Sequence, residues 1–452
     1  VFSRARRASL LAAFVAAAAG CAPGASAAPA PNPTEMSVTL PLKGQAGPSF
    51  LQLPDPDGGA RAESRVVALP NGSAIVTGGL TAKGPTNQVL YYDPSVRAFV
   101  TLDGVALKAA RYRHDATYLP TSTAEKAQIL VSGGYDERSL LASVELLTID
   151  LANLASSTST ELVPLPDARA GHRGVAIATS TRGGKPWSGT SAVLMVGGCV
   201  SNVGYDAAAT SSAILYEIET GQDGLATGGK PTVTPSQPQY ARYLHDVILL
   251  PGPDGVPGTD DDRVLVLGGR GANAIVATSE MLIPIGAAEV YEPALQKWSP
   301  VHFDGAAPEA RFKHSLVRSF DGAGALVVGG QSSETAGATG VDSIALDARD
   351  ATLGRLSRAG TLSAPRSAAE AASLDDGRVL VAGGVDPATG AARSDAEILG
   401  PGGADSPFTI GTPRFDFGLV SLGSQTVLVF GGYGASKDAF GAPAAGLLLL
   451  RK

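Results

Sequence analysis

Seven of the chain's diglycines stand in one register, each at the end of an apolar run: Gly78-Gly79, Gly133-Gly134, Gly197-Gly198, Gly268-Gly269, Gly329-Gly330, Gly383-Gly384 and Gly431-Gly432. Each follows a short apolar run: Ala74 to Val76, Ile129 to Val131, Ala192 to Val196, Val264 to Leu267, Ala325 to Val328, Val379 to Ala382 and Val427 to Phe430. Such runs are too short for amphipathic helices and read as buried strands. The glycines that end them permit positive φ and close backbone approach. One diglycine constrains little, but seven in one register demand a repeated unit. A unit of this size cannot bury its apolar faces alone, so the copies must stack into a solenoid or ring.

The register extends to both sides. Counting back from each diglycine gives Arg61, Arg111, Arg169, Arg242, Arg311, Arg366 and Arg414, with Ser64, His114, His172, His245, His314, Ala369 and Phe417 three places on. Past each diglycine comes a variable loop and then a third apolar segment: Val89 to Tyr92, Val144 to Thr148, Ile214 to Tyr216, Glu289 to Tyr291, Ser343 to Leu346, Ala396 to Leu399 and Leu447 to Leu450. An aromatic residue, Phe99, Trp298 or Phe408, marks a fourth strand in some copies. The fullest copy runs from Arg242 to Trp298.

Arg-x-x-His, an apolar strand, diglycine, a Glu-x-Tyr-like strand and a late Trp together resemble the kelch repeat, over residues 61 to 452. The resemblance implies an all-β fold: a seven-bladed kelch-type β-propeller of four-stranded antiparallel blades. The sequence departs from the family in two ways. Only one repeat keeps both Tyr and Trp, and repeats three and four are enlarged to about 70 residues against a family period near 50. The seventh repeat shows no fourth strand before Lys452, and an N-terminal segment, Val38 to Leu42 or Phe50 to Leu53, is expected to supply it and close the ring.

A chain of 452 residues outgrows a single ordinary core, and the repeats resolve this in favour of one array. Charged residues are 17% and the net charge is −7, which argues against a general nucleic-acid surface. Arg4, Arg6 and Arg7 precede the apolar stretch Leu10 to Ala19, as in an export signal too short to span a bilayer. Ala18-Ala19-Gly20-Cys21 resembles a bacterial lipobox, with Cys21 as the lipidated residue; ordinary cleavage after Ala25-Ser26-Ala27 is the alternative. The expected organisation is a signal over 1–21, an Ala/Pro-rich tether over 22–35 and the propeller over 36–452. The protein is expected to be exported and monomeric, held at the bacterial envelope by its lipid anchor alone or else secreted or periplasmic.

Several residues suggest chemistry. The seven leading arginines, placed at one mouth of the channel, suit carboxylate, sulfate or phosphate groups, or else they pair with third-strand acids such as Glu145, Glu289 and Glu397. Four histidines share one structural position and lie too far apart around a ring for a zinc site. Kelch propellers include copper oxidases resembling galactose oxidase, whose site needs a Cys crosslinked to Tyr; Cys199 and Tyr205 share a loop here, but no matching His pair stands near them. Asp254, Asp260, Asp261 and Asp262 lie on a Gly-bent loop compatible with calcium or with a simple polar hairpin. Long loops at Thr181 to Thr190, Ser201 to Ser212, Glu219 to Tyr240, Gly271 to Gly286 and Gln331 to Val341 elaborate one sector of the ring. The expected function is a non-catalytic envelope module binding a protein or glycan through loops. The alternative is a carbohydrate-active or oxidase-like enzyme with its site at the channel mouth.

Overall fold

The computed structural model describes residues 48–450 apart from 57–58, 103, 178–180, 183–184, 187–190, 202–207, 274–282 and 435–444. Cys21 and Tyr205 lie outside the described residues.

Each apolar run with its preceding and following segments forms an antiparallel sheet, and seven such sheets make a β-propeller. Blade 1 consists of Arg65–Ala68, Ala74–Thr77, Val89–Asp93 and Ala98–Thr101, in that order from the axis outward. The innermost strands of the other blades are Asp115–Tyr118, Arg173–Ile177, Asp246–Leu250, Phe312–Arg318, Glu370–Ser373 and Gly418–Gly423. Each of these seven touches the next, and the last touches the first. The ring is closed through the N-terminus, because Ser49–Gln52 pairs antiparallel with Gly446–Leu449 as the fourth strand of blade 7. Of the two segments expected for this role, the one around Phe50 fills it.

Period-two alternation explains why the strands read as continuous apolar runs. In blade 1, Val67, Ile75, Val89 and Tyr91 pack on Ile129, Val131 and Leu147 of blade 2. Their neighbours Ala74, Val76, Leu90 and Tyr92 pack on Leu428, Phe430 and Leu447 of blade 7. Both faces of every sheet are therefore buried, and a core cluster fills each of the seven interfaces. The late aromatic residues are cross-strand partners: Tyr92 sits opposite Phe99 at 5.5 Å and Tyr291 opposite Trp298 at 5.1 Å between ring centroids.

Three details differ from the sequence expectation. Glu219 to Tyr240 is not a loop but contains the outer strand Ala226–Val233 of blade 3. Its Gly228-Gly229-Lys230-Pro231 stretch lacks an apolar pattern because an outer edge needs to bury little. In blade 5 the strand Ala325–Gln331 runs through its diglycine, and His302–Phe303 adds a short parallel fifth strand. The outer edge of blade 6 is broken into Gly403–Ala404 and Phe408–Thr409.

Candidate functional site at the channel mouth

The repeated residues come first, because they build the frame of the mouth. All seven leading arginines are at most 1% exposed. Each sends its Nη1 to the carbonyl of the first glycine in its own blade: Gly78, Gly133, Gly197, Gly268, Gly329, Gly383 and Gly431, at 2.8–3.3 Å. Third-strand acids neutralise four of them: Glu145 on Arg111 and Glu289 on Arg242 at 2.5 Å, Asp342 on Arg311 at 2.9 Å, and Glu397 with Asp395 on Arg366. Arg61 meets the neutral Gln88 and Arg169 meets Ser212. Burial accordingly pulls Arg61 and Arg169 down to about 10. At Arg111 and Arg242 burial acts in the same direction and the paired glutamates oppose it.

The second glycine ties each blade to the next. Gly79 N–H donates to Arg111 O at 2.8 Å, the pattern repeats around the ring, and Gly432 N–H donates to Arg61 O at 3.0 Å. The first glycine is needed for a steric reason: a Cβ on Gly133, at φ +58°, would lie 2.4 Å from Arg169 O and 2.8 Å from His172 Cε1. The four repeated histidines fill these same junctions. His114 bonds Thr77 Oγ1 at 2.7 Å, His172 bonds Ser132 Oγ at 2.9 Å, and His245 bonds Val196 O at 3.1 Å. Burial holds all four well below the usual imidazole range, His172 and His314 at about 3. They are neutral wedges between blades, while His302 is exposed on its short strand.

The axial cavity, of about 290 Å³, is lined by residues from all seven blades, and the leading arginines stand outside its lining. Two columns of the repeat surround it, the first lining it everywhere but at Ala368 and the second through Arg65, Arg173 and Glu370. The first is the residue two places after each arginine: Glu63, Arg113, Gly171, Leu244, Lys313, Ala368 and Asp416, every one at a φ between 49° and 64°. This left-handed backbone, strained for the six that are not glycine, is held by blade-to-blade hydrogen bonds at six of the seven junctions, such as Arg113 N–H to Glu63 O and Lys313 N–H to Leu244 O. The second column lies two residues further on and opens the inner strand of every blade but the fifth, where the strand begins earlier, at Phe312: Arg65, Asp115, Arg173, Asp246, Ser315, Glu370 and Gly418.

Charge at the mouth is dense and mostly paired. Arg113 makes a two-pronged pair with Glu63 at 2.6 and 2.7 Å. Arg270 meets Glu334 at 2.9 Å and lies 4.9 Å over the ring of Phe312, and Arg173 meets Asp246 at 3.3 Å. Stacked aromatic pairs, Tyr112 with Tyr135 and Phe415 with Tyr433, occupy equivalent places in blades 2 and 7. Glu370 is different. Its carboxylate makes no hydrogen bond or ion pair among the described residues, and burial pushes it up to about 7 despite Arg173 and Arg65. Sequence reading singled out the constant columns. The signal it missed was the variation of charge in the two columns beside them.

The other expected residues fall elsewhere. Cys199 is buried, and its neighbour is Tyr135 of the preceding blade, whose hydroxyl it meets. The loop with Asp254, Asp260, Asp261 and Asp262 joins the first two strands of blade 4, at the end opposite the diglycine and the mouth. Its carboxylates cap the loop itself: Asp261 accepts from Asp254 N–H and Thr259 Oγ1, and Asp262 from Gly258 and Thr259 N–H. Among the described residues no group of three or more His, Cys, Asp or Glu side chains converges as metal ligands would. Among the described residues the repeated histidines are committed to blade junctions and Cys199 meets Tyr135, and these residues do not assemble a copper site of the oxidase kind.

Against known proteins, the chain matches no protein-family profile and no curated protein sequence. Among solved structures it is similar to a fungal alcohol oxidase of the AA5 family in complex with copper, with a TM-score of 0.59 and 14% identity over 90% of this chain and 76% of the oxidase. At that identity the likeness establishes the propeller fold and nothing of the chemistry.

Proposed function

We propose that the protein is a kelch-type, non-catalytic recognition module, exported and anchored at the cell envelope through Cys21, that binds a protein or glycan at the channel mouth. The observation that carries this reading is the division of labour among the repeat columns. The constant residues are buried in blade junctions, while the variable ones bring charged and aromatic side chains from every blade to one concave surface. Function on repeat scaffolds resides in such variable positions. The test is capture from native envelope and a glycan array with a soluble form lacking residues 1–21, repeated with Arg270→Ala and Tyr433→Ala. The reading requires specific capture that both substitutions weaken; capture indifferent to both would place recognition elsewhere and overturn it.

A second reading, a carbohydrate-active enzyme, is favoured by one observation: Glu370, an unpaired carboxyl near neutrality in a cavity, has the property of a general acid. Turnover of chromogenic glycosides, lost in Glu370→Gln, would replace the first reading with this one.

A further inference from the structure

The innermost ring of the channel carries, in blade order, Arg65, Asp115, Arg173, Asp246, Ser315, Glu370 and Gly418. Most of its charge is already used. Asp115 accepts from Thr117 Oγ1 at 2.7 Å; Arg173 and Asp246 pair with each other, and Asp246 also accepts from Leu316 N–H at 2.8 Å. Two groups remain. Arg65 is positioned by its Nε, which donates to His114 O at 2.8 Å, and its two terminal nitrogens have no partner among the described residues. Glu370 has no hydrogen-bond or ion-pair partner among the described residues.

These two groups belong to blades 1 and 6, and the inner strand of blade 7 stands between them, touching both. Its residue at this level is Gly418, which packs against the Val66 side chain and offers neither group a partner, and the other neighbour of Glu370 in the ring is the small Ser315. Arg65 and Glu370 feel each other's charge without approaching to ion-pair distance. A half-buried guanidinium and a half-buried carboxylate thus line one cavity without meeting each other. Leaving both unmatched costs desolvation that a ligand of complementary charges would recover.

From this geometry we infer that the channel mouth is a receptor for a zwitterionic group, its ammonium held by Glu370 and its carboxylate by Arg65, within the axial cavity that both line. The inference rests on the reading of the mouth as a binding site and names the chemistry it selects. Arg65 suits a planar oxyanion because two terminal N–H groups point the same way. Binding should release a proton near neutral pH, since Glu370 must ionise to receive the ammonium.

Calorimetry on the full-length chain would use β-alanine, 4-aminobutyrate and 5-aminopentanoate, with butylamine and butyrate as single-charge controls. At least one zwitterion should bind at least about tenfold more tightly than either control, and Glu370→Gln and Arg65→Gln should each weaken it about tenfold or more. Melting curves would show that both variants remain folded; if Arg65→Gln does not, Arg65→Lys, which keeps charge and loses the fork, takes its place. Equal binding of zwitterions and controls, or binding that both variants leave intact, overturns the inference, as does no heat from any zwitterion up to about 10 mM. Capture of envelope partners in parallel separates the two readings. Persistent capture without zwitterion binding removes only this inference, and zwitterion binding without capture removes only the macromolecular partner.

Discussion

Replacing Glu145 tests whether the repeated arginines are structural. Its carboxylate is fully buried and accepts from Arg111 Nη2 at 2.5 Å, Lys108 N–H at 2.8 Å and Ser159 Oγ at 2.9 Å. In Glu145→Ala, Arg111 keeps its bonds to Gly133 O and Ser143 but loses its counter-charge, and the Lys108 amide loses its acceptor. Truncating one partner of a buried pair costs about 3–5 kcal/mol. Glu145→Gln removes the charge but keeps the shape and an acceptor, and blade 1 already uses that arrangement, with Arg61 Nη2 on Gln88 Oε1 at 2.9 Å. A charge-assisted bond falling to an ordinary one costs about 1–2 kcal/mol. The reciprocal Gln88→Glu should stabilise blade 1 by about 1 kcal/mol, because it supplies the carboxylate that Arg61 lacks. Equilibrium denaturation in urea, followed by circular dichroism, measures all three from the shift of the midpoint at constant slope. A Glu145→Ala variant within about 1 kcal/mol of the parent, or a Glu145→Gln variant as damaged as the alanine, would refute the reasoning.

Gly133→Ala should lose about 3 kcal/mol in the same assay through clash and a strained positive φ, whereas Gly402→Ala, with nothing within 4 Å of the added Cβ, should stay within about 0.5 kcal/mol. Deleting residues through 53 removes the strand paired with Gly446–Leu449, whose Phe50 lies over Gly446; a lower melting temperature and self-association are expected, and an unchanged melting temperature would contradict ring closure. Glu370 has its folded pKa raised from 4.5 to about 7, so its contribution is fully favourable below about 4.5 and is lost as pH rises through 7. Relative to Glu370→Gln, the parent should therefore lose up to about 3 kcal/mol between pH 4 and 8, and parallel stability profiles would rule this out. Adding calcium should leave the melting temperature within about 1 °C, because the acidic loop of blade 4 spends its carboxylates on its own N–H groups, and calcium takes six to eight oxygens.

Strand periodicity and the seven diglycines determined the fold from sequence alone, because close packing of sheet on sheet repeats the same demand at every interface. The arginine column and its acidic partners were legible for the same reason: a charge that recurs where each blade meets the next calls for a recurring acceptor, which a third-strand acid supplies in four blades, as Arg111 with Glu145 and Arg242 with Glu289 show. The outer strand Ala226–Val233 was not legible, since an edge carries no apolar period. The mouth was not legible either. Glu63, Arg65, Arg113, Arg173, Lys313, Glu370 and Asp416 are scattered over most of the chain, and only closure of the ring brings them to one axis. Which charges then remain unpaired depends on neighbours around that ring: Asp246 reaches Arg173, Asp115 turns to Thr117, and Gly418, between Arg65 and Glu370, offers neither of them a partner. Local sequence determines a strand's period, but the pairing of side chains from different blades is a distance, and distances across an axis exist only once the chain has closed.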